Sequence, residues 1–321
     1  MLPAIVAGVL LGLVGVEAAY RLRGIPLPQP RKKDIARLAK GADLMILGDS
    51  RADAGLDPWV IGQILGDRAV NLGQEGWSPI NQLQILKLMN VHPRILLIAV
   101  SPASVYGAFY RDPAAIEKAW LREQEGEPFS RVMKFPFKHS EAWLSSHVKA
   151  HLHIGRGFAG LVALFRGHVV EYRDSLGWNR VSPLGERRNY VRLVNLEAYE
   201  DHILKRPATD LSVRDERFAQ AVADLAPARV AALVRLPCSP ELRAIEDRAF
   251  PDFDARMGQL AVQFRAPYIW NGMDYDPDWS KGDGSHLTAG EARDYSTALA
   301  RRLFFLDNAE GEVFSEQGGR R

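Results

Sequence analysis

Short unbroken runs of apolar residues punctuate this chain, and each stops at glycine or a polar turn. Five of them read as strands buried on both faces: DLMILG (43–48), RAVNLG (68–73), RILLIAV (94–100), RVAALVRL (229–236) and APYIW (266–270). Between them the apolar spacing widens to that of helices. PWVIGQIL follows the first strand and PINQLQILKLMN the second. SPELRAIEDRAFPDFDARMGQLAVQF follows the fourth, and TAGEARDYSTALARRLFF closes the pattern. Strand alternating with helix predicts an α/β fold: a doubly wound, mainly five-stranded parallel sheet covered on both faces.

Two regions break this rhythm. Residues 103–212 lack clear strands and carry HSEAWLSSHVKAHLHIGRGFAGLVALF at helical spacing, which predicts a mostly helical insertion over one end of the sheet. The first 20 residues, MLPAIVAGVLLGLVGVEAAY, hold no charge before Glu17. That length suffices for one bilayer span, which takes roughly 20 residues. An uncleaved N-terminal anchor is the favoured expectation, against a signal peptide cut near VEAAY or a helix of the soluble domain. The expected organisation is therefore an anchor at 1–20, a Pro-rich polar linker at 21–40, a domain at 41–307 and a mobile polar tail at 308–321. Arg21, Arg23, Arg31, Lys32 and Lys33 all follow the span, and by the positive-inside rule alone they would keep the domain in the cytoplasm.

Composition narrows the chemistry. The 321 residues suffice for one main domain with its own core. A net charge of +2 and the lack of a basic stripe interleaved with aromatics give no reason to expect a nucleic-acid partner. The single cysteine, Cys238, excludes an internal disulfide and a thiolate metal cluster. His147 and His151 would share a helix face, with His153 nearby, but no carboxylate is spaced to complete a metal site, and no cofactor is expected.

Ligands of open α/β sheets bind beyond the carboxyl ends of the strands. Ser50 follows the first strand there, in GDSR, as either a nucleophile or the cap of the next helix. Asp283 and His286, in DGSH before the last helix, have the spacing of an acid orienting a base. Gly76, in NLGQEGWSP after the second strand, could bring a bare amide to a substrate oxygen, or simply make a turn. Arg51 and the aromatics Trp77, Tyr106 and Trp178 are candidate contacts to a polar substrate or to sugar rings, against surface and packing roles.

Taken together, Gly-Asp-Ser after strand one, Asn71 and Gly76 after strand two, and Asp-x-x-His before the last helix resemble the SGNH/GDSL hydrolase superfamily over about residues 43–305. The resemblance implies a flavodoxin-like sheet and a serine acyl-transfer site. In it Ser50 is the nucleophile, His286 the general base, Asp283 its orienting acid, and the Ser50 and Gly76 amides belong to the oxyanion hole. The family's asparagine after the third strand is missing from LLIAVSPASVYG, which leaves Ser101, Ser104 or a group from the large insertion as substitute donor. Serine followed by arginine, GLDP, and a third strand ending in Ser-Pro resemble the membrane-anchored branch that serves O-acetylation of exopolysaccharides such as alginate, or D-alanylation of teichoic acids. That resemblance implies an acyl donor and a polysaccharide as substrates and a membrane-bound O-acyltransferase as partner. It also implies a bacterial inner-membrane protein whose catalytic domain lies on the periplasmic side. An SGNH esterase or deacetylase, and a catalytically inert glycan-binding or scaffold protein, remain as alternatives.

Overall fold

The computed structural model describes residues 39–124, 170–173, 179–182, 199–200, 204, 210–270 and 284–318. All five expected strands are present: β1 (Leu44–Leu47), β2 (Ala69–Asn71), β3 (Ile95–Ala99), β6 (Arg229–Val234) and β7 (Tyr268–Ile269). They pair in parallel in the order β2-β1-β3-β6-β7. This is a doubly wound order, with the chain reversing direction across the sheet beside β1.

The strand pattern explains why both faces are covered. Met45, Leu47, Val70, Leu96 and Ile98 enter one apolar cluster, while Leu44, Ile46, Ala69, Leu97 and Ala99 enter the other. Alternate residues thus reach opposite layers, and neither set can face water. Helices α1 (Ser50–Gly55), α2 (Pro58–Leu65) and α9 (Ala289–Gly318) cover one face through Ala52, Leu56, Ile61, Leu299 and Leu303. Helices α3 (Pro79–Leu88), α6 (Leu211–Ala223), α7 (Pro240–Ala249) and α8 (Phe253–Gln263) cover the other, through side chains such as Leu83, Phe218, Leu242 and Met257.

Strand β6 contains an irregularity with consequences. Its register with β3 shifts between Leu96 and Leu97, which face Val230 and Ala232, so Ala231 is an extra residue. The bulge reverses the alternation: Val230 and Leu233 join one layer, Ala232 and Val234 the other. Arg235, two residues after Leu233, is thereby directed to the layer of α7 and α8, where its acidic partners lie.

Three local expectations change. The stretch after the fourth strand is not one helix, because α7 ends at Ala249, with Phe250 as its cap before Pro251, and α8 begins at Phe253; proline cannot continue a helix. The region 103–212, expected without clear strands, holds an antiparallel hairpin of β4 (Val170–Arg173) and β5 (Asn179–Ser182) beside the short α4 (Pro102–Val105) and α5 (Pro113–Gln124). Residues 308–318, expected as part of a polar tail, continue α9 to Gly318. Among the described residues no helix is long and apolar enough to cross a membrane; the expected anchor at 1–20 lies outside them.

Candidate functional site at the carboxyl edge

Gly48 ends β1 with φ 151, and a Cβ there would stand 2.6 Å from Ala52 Cβ and 2.9 Å from Ala99 Cβ. Glycine therefore lets α1 turn back tightly against β3. The amide of Gly48 donates to Gln82 Oε1 at 2.7 Å, and Gln82 Nε2 returns bonds to the carbonyls of Gly48 and Leu72. One buried glutamine thus joins the ends of β1 and β2.

Ser50 is not the cap of α1. Asp49 is: its Oδ1 accepts from the Arg51 amide at 2.9 Å, and Ser50 is the first helical residue. Asp49 is buried, and its second oxygen accepts from Ser101 Oγ at 2.6 Å. The acid of GDS is therefore structural, which leaves the half-buried Ser50 hydroxyl outside the capping bond. Among the described residues that hydroxyl makes no hydrogen bond.

After β2 the chain must pass close over α1. A Cβ on Gly73 would lie 2.5 Å from the Asp53 amide nitrogen, so only glycine fits. Asn71 fastens this crossing, donating to the carbonyls of Ala52 and Leu56 at 2.7 and 2.8 Å and accepting from the Gly73 amide. The Gln74 amide then donates to the Gly48 carbonyl at 3.1 Å. The Trp77 amide closes a turn on the Gln74 carbonyl, with Gly76 at φ 69 in the left-handed region. The turn reading of Gly76 is thus correct, and the turn stands beside the end of β1. The amides of Ser50 and Gly76 meet no acceptor among the described residues.

His286 comes to this edge by two routes. The Ser239 amide, beyond β6, donates to the Gly284 carbonyl at 2.8 Å, and Leu287 packs in the cluster of Ala52 and Leu56 over Gly55. His286 is half-buried, with Nδ1 at 2.9 Å from Ser285 Oγ. No hydrogen bond joins its ring to Ser50 in the described residues. Asp283, the expected orienting acid, lies outside them, as do Trp178, His147, His151 and His153. Among the described residues no group of three or more His, Cys, Asp or Glu is placed to hold a metal ion.

The remaining expected contacts are placed differently. Arg51 is neither a surface charge nor open to a cleft: it is 4% exposed and ion-paired with Glu246 of α7, with Tyr199 Oη 2.8 Å from the guanidinium. Ser101 is buried as the cap of α4, and its single proton goes to Asp49, while the Ser104 hydroxyl donates to the Ser101 carbonyl. Neither is free, as arranged, to replace the missing asparagine. Trp77 is buried with Ile85 and Ile116, and Tyr106 is fully buried against Phe250 and Phe253 with its hydroxyl on Asp215. These rings pack the core and offer no face to a sugar.

Sequence reasoning missed the charged cluster beneath this edge. Glu246 is fully buried, and Arg235 Nη2 donates to it at 3.0 Å beside Arg51. Arg235 also pairs with Asp247 at 2.9 Å and Asp254 at 2.8 Å, and Arg243 bonds both of those acids. Burial would raise the Glu246 carboxyl, but Arg51 and Arg235 outweigh it and hold the group below its ordinary range. Only the excess of charged residues in ELRAIEDRAFPDFDAR hinted at this, because helix spacing cannot say which charges turn inward.

The chain matches no protein-family model and no curated protein sequence.

Proposed function

We propose that this protein is a serine-dependent acyltransferase of the SGNH type, acting on a cell-envelope or secreted polysaccharide and held to the membrane by residues 1–20. The observation that carries the reading is the gathering of Ser50, the Gly76 turn and His286 at one edge of a doubly wound sheet, with the Ser50 and Gly76 amides unengaged among the described residues. In this reading Ser50 Oγ attacks the acyl carbonyl while His286 takes its proton and Asp283 orients the imidazole. The two amides meet the oxyanion. His286 returns the proton to the leaving group, then takes one from a sugar hydroxyl that attacks the acyl-enzyme, and gives it to Ser50 Oγ as the bond from Ser50 to the acyl group breaks. Water in place of the sugar gives the esterase reaction. That no hydrogen bond joins Ser50 to His286 is compatible with this scheme, because catalytic hydrogen bonds commonly form only around substrate.

A second reading, a catalytically inert glycan-binding or scaffold partner of a membrane-bound O-acyltransferase, is favoured by the Ser101 hydroxyl. It stands where the family's third oxyanion donor is expected, and it is committed to Asp49.

The test uses the full chain in detergent or nanodiscs. Wild type should hydrolyse p-nitrophenyl acetate, take a fluorophosphonate label and acetylate an oligosaccharide acceptor; Ser50→Ala should do none of these. Ester turnover without acceptor acetylation selects the esterase, and neither activity in wild type selects the inert partner. For location, protease added to spheroplasts should cleave the domain before lysis; cleavage only afterwards overturns the periplasmic assignment.

A further inference from the structure

Trp270 follows β7 directly, at the same carboxyl end of the sheet as Ser50, and keeps 44% of its surface exposed. Trp59, Phe304 and Phe305 are also exposed, but Trp270 alone of the four directly follows a strand at the ligand-binding edge of the α/β sheet. Its surroundings hold the ring in one attitude. The Arg235 amide donates to the Ile269 carbonyl at 2.9 Å and fixes the backbone just before it. The Tyr268 ring lies nearly parallel to it, 19° apart with centroids at 6.5 Å, and the Arg243 guanidinium sits 5.5 Å from its centroid. Tyr268 is itself anchored, donating to Asp254 Oδ1 at 2.6 Å, and Arg243 is held by Asp247 and Asp254.

We propose that Trp270 is the stacking platform of a glycan subsite, with the neighbouring Arg243 and Asp247 offering polar contacts to the hydroxyl or carboxylate groups of the ring it receives. This rests on the glycan reading above and adds to it where the polysaccharide lies. A pyranose presents an apolar C–H face and a polar rim. A rigid indole bordered by a half-buried arginine and an exposed aspartate fits that pattern, and an aromatic held in advance loses little freedom on binding. The strands β1, β3, β6 and β7 are successive neighbours, so at about 4.8 Å per step the platform lies roughly 14 Å across the edge from the end of β1. The subsite is therefore several sugar units from the acyl-transfer point, and it grips the chain rather than the acceptor hydroxyl.

Trp59, 57% exposed at the start of α2, is a useful control, because it carries none of the ring contacts that hold Trp270. The full chain in nanodiscs is titrated with mannuronate, chitin and cellulose hexasaccharides, with intrinsic fluorescence and calorimetry as readouts. At least one should bind; Trp270→Ala should weaken it about tenfold or more, Trp270→Phe should restore most of the affinity, and Trp59→Ala should leave it unchanged. Ester turnover of Trp59→Ala should equal that of wild type. Absence of binding by all three oligosaccharides, or equal affinity in Trp270→Ala, overturns the subsite. The catalytic reading fails separately, by inactivity of the wild type towards ester while Trp270-dependent binding persists.

Discussion

Arg51 turns away from the serine that precedes it and buries its guanidinium on the carboxylate of Glu246, a residue 195 positions later in α7. The two flanks of Ser50 are thus tied to different parts of the fold: Asp49 to Ser101 after β3, and Arg51 to α7. The Ser50 backbone between them is anchored on both sides.

Removing the acid should expose what that pair does. Glu246→Gln leaves Arg51 and Arg235 facing each other without their shared counter-charge, so unfolding should become easier by about 3–5 kcal/mol. Urea denaturation followed by circular dichroism measures this. The pH dependence has a definite sign. Since the folded carboxyl lies below its ordinary value of 4.5, its stabilisation is present above that pH and is lost as the pH falls through the lowered folded value. Wild type should therefore lose stability on acidification below about pH 4.5 more steeply than Glu246→Gln.

Ser101→Ala removes the donor to a buried carboxylate. Asp49 keeps the Arg51 amide, and the loss should be about 1.5–3 kcal/mol, the usual worth of a hydrogen bond to a charged group. Thermal denaturation should show a lowered midpoint, and Ser101→Thr should recover part of it.

Two glycines separate close packing from backbone strain. Gly73→Ala drives a Cβ to 2.5 Å from the Asp53 amide, and β2 must move away from α1. Gly66→Ala meets nothing within 4 Å, and its cost is only that of a left-handed residue at φ 74, about 1 kcal/mol. Denaturation of the pair should show Gly73→Ala much the less stable; equal losses would mean the crossing over α1 is not tight.

Cys238 is buried after β6, and burial pushes its thiol up to about 11. Ellman's reagent at pH 8 should leave the folded protein unlabelled and titrate one thiol in guanidinium. Because the folded value is raised, the neutral thiol favours the fold at lower pH. That contribution is lost as pH rises from the unfolded value near 9 through the folded one, and Cys238→Ser should lack this alkaline component.

Much of the architecture follows from local pattern. The five strands were legible because a parallel sheet buries both faces, so its strands are apolar without interruption. Helices α2 and α3 announced themselves by proline at their first positions and apolar spacing behind it. The glycines of GDS and NLGQEG were visible as turn residues, and the spacing of Ser50, Gly76 and His286 along the chain pointed to one edge of a sheet. What local pattern could not supply was the partner of each polar side chain. Arg51 read as a surface charge or a substrate contact, and Trp77 as a sugar contact or a packing residue; folding buried the first on Glu246 and the second on Ile85 and Ile116. Trp270 read as the end of a strand, and the edge position of β7 left it open. Periodicity is a property of neighbours in sequence, and it decides which residues can share a face. Which buried charge meets which, and which ring stays in water, depends on segments 52 to 195 residues apart arriving at the same sheet edge, where an unpaired charge is too costly to leave.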